Sequence, residues 1–317
     1  MKYISEFHEG DRLRDIYLCK NVTSAMTKNG KPYLNIILQD KTGTVDAKVW
    51  DPTDPGIDDF EKLDYVEITG EVTSFNGALQ VNAKRVRKAT EGEYSQGDYL
   101  PVSPRDNDEM YAEVLEVVKS IQNPYYHRLM EMLFVEDKEF IAKFRQSSAA
   151  KAVHHGYIGG LMEHTLSVTH LCQYFCKAYP ILKYDLLITA AMCHDIAKTK
   201  ELSAFPENDY TDEGQLLGHI VMGAQMVAQI AAQIDGFPPI LLQELQHCIL
   251  AHHGKYEYGS PKLPALVEAI ALNFADDTDA KMEIFRELLE KNPGNYGWLG
   301  FNKMLDSNVH ATMGDLQ

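Results

Sequence analysis

Residues 186–198 read LLITAAMCHDIAK, an apolar helix-forming run that ends in an adjacent histidine and aspartate, His194 and Asp195. Successive side chains on a helix point about 100° apart. Two neighbours can therefore reach one point only near a helix end, or by serving two metal ions at once. A carboxylate has two oxygens with which to bridge ions, whereas an imidazole supplies one nitrogen. Lys198 follows His194 by four residues, on the same helical face, where it is placed to hold a phosphate oxygen.

Working outward, HHGYIGGLMEHTLSV (154–168) sets His154 and His155 before a glycine-rich turn, Gly156 to Gly160. It also sets His164 early in a helix whose apolar face includes Leu161, Val168 and Leu171. Downstream come Gly218-His219, Ala251-His252-His253-Gly254 and Phe274-Ala275-Asp276, each at the start or end of an expected helix. A lone helical histidine is ordinarily a satisfied polar group, and that is the reading for His127, His170, His247 and His310. The ordered series is different, because chance rarely sets these residue types at successive helix ends. Side chains from several helices can converge inside a bundle to hold metals. The candidate ligands are His164, His194, Asp195, His219, His252, His253 and Asp276. Apolar residues three and four apart place helices near 107–122, 124–134, 137–146, 161–178, 183–197, 215–233, 238–252 and 262–289.

The first ninety residues follow another period. YLNIILQ (33–39) puts Leu34, Ile36 and Leu38 on one face, and TVDAKVW (44–50) does the same with Val45, Ala47 and Val49. That alternation marks half-buried strands, joined here by a turn at Asp40-Lys41-Thr42-Gly43. YVEITGEVT (65–73) and ALQVNAKRV (78–86) make a second hairpin around Asn76-Gly77. A long first strand over 12–26 and a short helix over Asp58–Leu63 complete an OB-fold barrel. The fold class expected is thus α+β and multidomain, an OB-fold at 1–90 followed by an all-α bundle at 107–317 with its core at about 150–290. EGEYSQGDYLPVSPRD (91–106), rich in Gly, Pro and Ser, reads as the linker.

Composition narrows the functional classes. The 317 residues carry a net charge of −16, against a broad basic nucleic-acid surface. The acidity is uneven: residues 1–90 hold 13 Lys+Arg against 14 Asp+Glu, and the remainder 17 against 32. No apolar stretch approaches the eighteen residues of a membrane span. The N-terminal MKYISEFHEGDRLRD has no apolar signal segment, and five cysteines without a CxxC suit reduced thiols, so a cytoplasmic location is expected.

The H…HD…D series over residues 150–280 resembles the HD phosphohydrolase superfamily. The longer phrases HHGYIGGLMEHTLSV, HDIAKTKEL, YTDEGQLLGHI, HCILAHHGKYEYGSP and ADDTDAKM, following an OB module, resemble the YhaM family of 3′–5′ exoribonucleases over nearly the whole chain. LQDKTGTVDAKVWD (38–51) is similar to the second and third strands of OB domains that bind nucleic acid. The resemblance implies His164, His194, Asp195 and Asp276 as four core ligands. It implies His219, His252 and His253 as the further positions of members with two metals, and Mn²⁺ as a usable ion. Mixed His/carboxylate ligation suits Mn²⁺, Fe²⁺, Co²⁺ or Ni²⁺ better than Mg²⁺.

The expected mechanism has Asp195 bridging two ions. One is held by His164, His194 and Asp276, the other by His219 with His252 or His253. Lys198 steadies charge on the phosphate. The OB module would grip single-stranded RNA through Tyr33, Asn35, Lys48 and Trp50, with Lys84, Arg85, Arg87 and Lys88 meeting phosphates. Tyr17 and Phe75 read as packing residues. The function implied by the family is removal of nucleoside 5′-monophosphates from RNA 3′ ends. Alternatives are hydrolysis of a nucleotide or cyclic dinucleotide, and non-catalytic nucleic-acid binding. Single-stranded DNA is a second candidate ligand, and a homo-oligomer that funnels RNA inward is an arrangement the acidic bundle would suit.

Overall fold

A computed structural model describes residues 1–151 and 155–313, so His154 lies outside the described residues. The chain divides into two compact units, Met1–Val102 and Ser103–Gln317.

The first unit holds strands β1 (Arg12–Met26), β2 (Pro32–Asp40), β3 (Gly43–Val49), β4 (Tyr65–Phe75) and β5 (Ala78–Lys88). They close in the order β1-β2-β3-β5-β4, which is the expected OB barrel. All neighbours are antiparallel except β3 and β5, which run parallel with Ala47 opposite Val81. Alternation fills the barrel with Ile36, Leu38, Val45, Ala47, Val49, Ile68, Val72 and Val81. Each such Val, Leu or Ile side chain contributes about 1.5–3 kcal/mol when fully buried. Buried Asp40 makes the β2–β3 turn, its Oδ1 accepting from the Thr42 and Gly43 amides at 2.7 and 3.1 Å. Asn76 and Gly77 both take positive φ, 51° and 82°, as a two-residue hairpin requires.

Two expectations in this unit need correcting. Residues 58–63 form no helix. The Asp58 carboxylate accepts the Lys88 amide, the Asp64 carboxylate accepts the Glu61 amide, and Leu63 sits at φ 74°. Side-chain capture of backbone donors wins over a segment too short to nucleate. Phe75 is 64% exposed at a strand end and packs little, whereas Tyr17 is fully buried as expected. The division between units falls within the stretch read as linker, 91–106. Tyr94 stacks on Tyr65 with centroids 3.7 Å apart, and Tyr99 meets the same ring edge-on.

The second unit is a helical bundle: α1 (Asn107–Ser120), α2 (Pro124–Glu131), α3 (Lys138–Phe144), α4 (Gly160–Ala178), α5 (Tyr184–Cys193), α6 (Lys198–Glu201), α7 (Asp212–Ala231), α8 (Pro239–Ala251) and α9 (Val267–Lys291). Side-chain caps start several of them; Asp106, Asn123, Asp137 and Thr211 each accept first-turn amides. Helices α4 and α5 are the spine, with Leu161, Leu166, Leu187, Ile188 and Met192 buried in one core with Leu245, Ile249 and Leu272. The helix expected over 183–197 ends at Cys193, and a turn intervenes before α6. An unexpected hairpin, β6 (Gly297–Asn302) with β7 (Ser307–Ala311), follows α9. Among the described residues no helix is long and apolar enough to cross a membrane. All five cysteines are free thiols.

Candidate metal centre

The seven candidate ligands come from five places in the sequence and meet at one wall of the bundle. His164 lies one turn into α4, and His194 and Asp195 follow the last residue of α5. The end of a helix is where neighbouring side chains can share a point. His252 and His253 follow α8, and Asp276 lies in α9. His219 lies in α7 immediately after Gly218, whose φ of 73° kinks the helix. Two glycines permit the close approaches that build the wall. A Cβ on Gly160 would sit 2.1 Å from the His155 carbonyl oxygen, and one on Gly214 would sit 2.3 Å from that of Glu201.

Asp195 stands at the centre. Its Oδ2 is 3.5 Å from His164 Nε2 and 3.4 Å from His194 Nε2. Its Oδ1 is 3.3 Å from His219 Nε2 and 3.8 Å from His252 Nε2. Asp276 Oδ1 closes the first side, 3.2 Å from His164 Nε2 and 3.9 Å from His194 Nε2. His164, His194 and Asp276 thus offer ligand atoms within 4.8 Å of one another, as do His219, His252 and His253. Both members of the 252–253 pair face the cluster.

Every imidazole is held by its other nitrogen. Nδ1 meets the Asp279 carboxylate for His164 (2.7 Å) and Glu201 for His219 (2.9 Å). It meets backbone carbonyls for His194 (Ala191, 2.7 Å), His252 (Ile249, 2.7 Å) and His253 (Tyr258, 2.8 Å). A carbonyl only accepts, so those Nδ1 atoms carry the proton and Nε2 presents a lone pair to the cluster. Burial, together with neighbouring imidazoles, pushes the pKa values of His252 and His253 down, which favours the neutral form that binds metal. Burial disfavours charge on Asp195 and Asp276. Lys198 and His194 beside Asp195, and His164 and His194 beside Asp276, nevertheless hold both below the usual carboxylate range.

These residues fit a divalent cation by their own chemistry. Asp195 Oδ1, His219 Nε2 and His252 Nε2 are buried and make no hydrogen bond among the described residues. Orphaned buried polar atoms cost about 1–3 kcal/mol each. On the other side two imidazole Nε2 atoms face each other at 3.2 Å. Lone pairs gathered this way need a cation between them.

Lys198 also turns to the cluster. Its Nζ lies 2.7 Å from Asp195 Oδ2, so it neutralises the central carboxylate at the cleft wall. The residues that sequence reasoning missed are the supports. Asp279 bonds both His164 and His155 (3.0 Å), and Glu201 accepts from the His219 amide as well as its ring. Asp279 stands one turn after Asp276, and that spacing was the available signal. His155 bonds Tyr157, whose hydroxyl donates to Glu163 at 3.0 Å. The four histidines read as bystanders all have partners elsewhere: His127 with Val118 and Ile121 carbonyls, His170 with Glu113, His247 with the Ala265 amide and His310 against Trp298.

Residues 161–281 match the HD domain family, and residues 18–89 match the OB-fold nucleic acid binding domain family. The chain is 37% identical over 301 residues to the 3′-5′ exoribonuclease YhaM of Geobacillus sp. (strain WCH70), covering 93% of this chain and 90% of that protein. The chain belongs to the YhaM family. A second YhaM exoribonuclease, from Bacillus velezensis, is 36% identical over 91% of this chain and 92% of its own length. The second OB-fold domain of replication protein A from Methanococcus maripaludis matches 30% of this chain at 18% identity with a TM-score of 0.23, too slight a likeness to argue from. As an HD-domain member of the YhaM family, the chain has the His/Asp clusters that divalent metal use requires.

On the barrel, β2–β3 register brings Asn35 opposite Lys48. The Tyr33 and Trp50 rings lie 5.2 Å apart, Lys48 is over the Tyr33 ring, and Trp50 is 50% exposed. These four side chains therefore share a patch. The basic run divides. A bulge between Ala83 and Arg85 leaves Lys84 and Arg85 both exposed, without an ion pair among the described residues. Arg87 is held by two carboxylates, Glu67 and Glu93, and Lys88 by Asp64, so a phosphate would have to compete for them.

Proposed function

We propose that this chain is a metal-dependent exoribonuclease that removes nucleoside 5′-monophosphates from the 3′ end of single-stranded RNA. The observation that carries the reading is the meeting of five histidines and Asp276 around Asp195, in a chain of the YhaM family. His164, His194 and Asp276 would hold one divalent ion with Asp195 Oδ2. His219, His252 and His253 would hold a second with Oδ1. Mn²⁺ is the first choice, ahead of Fe²⁺, Co²⁺ and Ni²⁺. Ions bound there supply positive charge to the phosphate and make hydroxide available near neutral pH.

The chain's own residues do the rest. Glu201 and Asp279 fix the rings of His219 and His164. Lys198, partly exposed in the cleft, balances Asp195 and faces the charge that builds on phosphate oxygens. The OB barrel grips the strand, with Tyr33 and Trp50 stacking bases and Lys48, Lys84 and Arg85 meeting phosphates. Single-stranded DNA would occupy the same patch, since stacking does not read the sugar. Free thiols accord with a cytoplasmic location. A homo-oligomer would be read from its mass in solution.

The test is incubation of end-labelled RNA, and separately of free and cyclic nucleotides, with and without Mn²⁺. A metal-dependent ladder shortened from the 3′ end, with 5′-monophosphate products, is expected. Turnover of nucleotides alone would replace this reading with a nucleotide phosphohydrolase.

A further inference from the structure

The cleft beside the cluster has a volume of about 580 Å³. Its wall includes His164, Asp195 and His219 and also two pairs that coordinate nothing: Lys151 with Tyr210, and Lys255 with Tyr258. In each pair the ammonium lies over the ring, 5.9 Å from its centroid in the first and 5.3 Å in the second. Tyr210 and Tyr258 are 45% and 62% exposed, so core packing does not account for them. Resting on the exoribonuclease reading above, we propose that these two lysine–tyrosine pairs form a clamp for the two 3′-terminal nucleotides, rings against bases and ammonium groups on phosphates.

The backbone of each tyrosine is tied to the support of a candidate ligand. The Tyr258 carbonyl accepts from His253 Nδ1. Tyr210 bridges to Leu202, the residue after the Glu201 that holds His219. The Lys151 carbonyl accepts from Asn208 at 3.1 Å, in the loop that ends in Tyr210. The backbone that carries each ring is thereby anchored beside the cluster. Every base has a π-face, so stacking is tolerant of sequence, which suits an enzyme that must accept each new end it creates. Lys151 also pairs with Asp209, but that pair is about half exposed, and surface ion pairs are weak enough for a phosphate to compete.

The test compares Tyr210→Ala and Tyr258→Ala with Tyr210→Phe and Tyr258→Phe. Substrates are single-stranded RNA, the same RNA with abasic residues at its last two positions, and bis(p-nitrophenyl) phosphate. Each alanine variant should raise KM for natural RNA about tenfold, with a much smaller change in kcat, and phenylalanine should restore it because the ring suffices. Abasic ends should cost the wild type about the product of the two single-ring factors, and should cost each alanine variant only the factor of the ring it retains. Equal losses on RNA and on the small diester, or equal degradation of abasic and natural ends by the wild type, would overturn the clamp while leaving the exoribonuclease reading intact. A wild type that shortens no RNA would overturn that reading itself, and the clamp with it.

Discussion

The cluster around Asp195 and the patch around Trp50 are built on opposite terms. In the first, seven polar side chains are drawn into a bundle wall, most of them buried, with each imidazole held by a second group. In the second, Tyr33, Lys48 and Trp50 lie on a partly exposed strand surface whose register alone sets them together. Burying polar groups costs free energy unless something satisfies them, so the cluster demands a ligand. A surface patch makes no such demand. The contrast predicts that changes in the cluster act on catalysis and metal, whereas changes in the patch act on RNA affinity.

The largest effect should come from Asp195→Ala. Hydrolysis should fall by about 10³-fold or more, while RNA binding stays measurable by fluorescence anisotropy. Hydrolysis retained in nuclease-free variant protein would break the contrast at its centre. Next comes metal itself. Because ions bind only the folded cluster, Mn²⁺ at a hundred times its Kd should add about 2.7 kcal/mol and raise the melting midpoint of chelator-stripped protein by roughly 5–10 °C. No shift would mean that the imidazoles and carboxylates hold no ion. Asp279→Ala frees the His164 ring, and should weaken metal binding or activity about 10- to 100-fold by titration calorimetry and kinetics.

The barrel should respond more mildly. Trp50→Ala should cost about 1–3 kcal/mol of RNA affinity and much less in hydrolysis of a small diester. Equal losses in both assays would show that Trp50 packs rather than binds. The smallest effects separate the basic run. Lys84→Gln should lower the salt dependence of RNA binding by about one charge, and Arg87→Gln should leave it nearly unchanged, since Glu67 and Glu93 already occupy that guanidinium.

Sequence alone revealed what periodicity and residue type encode. The barrel strands followed from alternation, and the helices followed from apolar residues three and four apart. The seven candidate ligands, which the fold brings together, were picked out by residue type and order; the expected helix-end placement holds for His194, Asp195, His252 and His253, whereas Asp276 lies well inside α9. The supports were not picked out. Asp279 and Glu201 are ordinary helical acids until the fold sets them against His164 and His219. The helix expected over 58–63 failed because the Asp58 and Asp64 carboxylates took up backbone amides. The β6–β7 hairpin escaped notice because Gly297 and Gly300 interrupt its alternation. Arg87 and Lys88 looked free because their acidic partners lie as far as 24 residues away.

The most direct measurement is elemental analysis of the purified wild type and of Asp195→Ala after exposure to Mn²⁺ and removal of free ion. The wild type should retain about two divalent ions per chain, and the variant should lose most of both, because one carboxylate faces both halves of the cluster. Equal retention by the two proteins, or a metal-free wild type that still shortens RNA in excess chelator, would contradict the account.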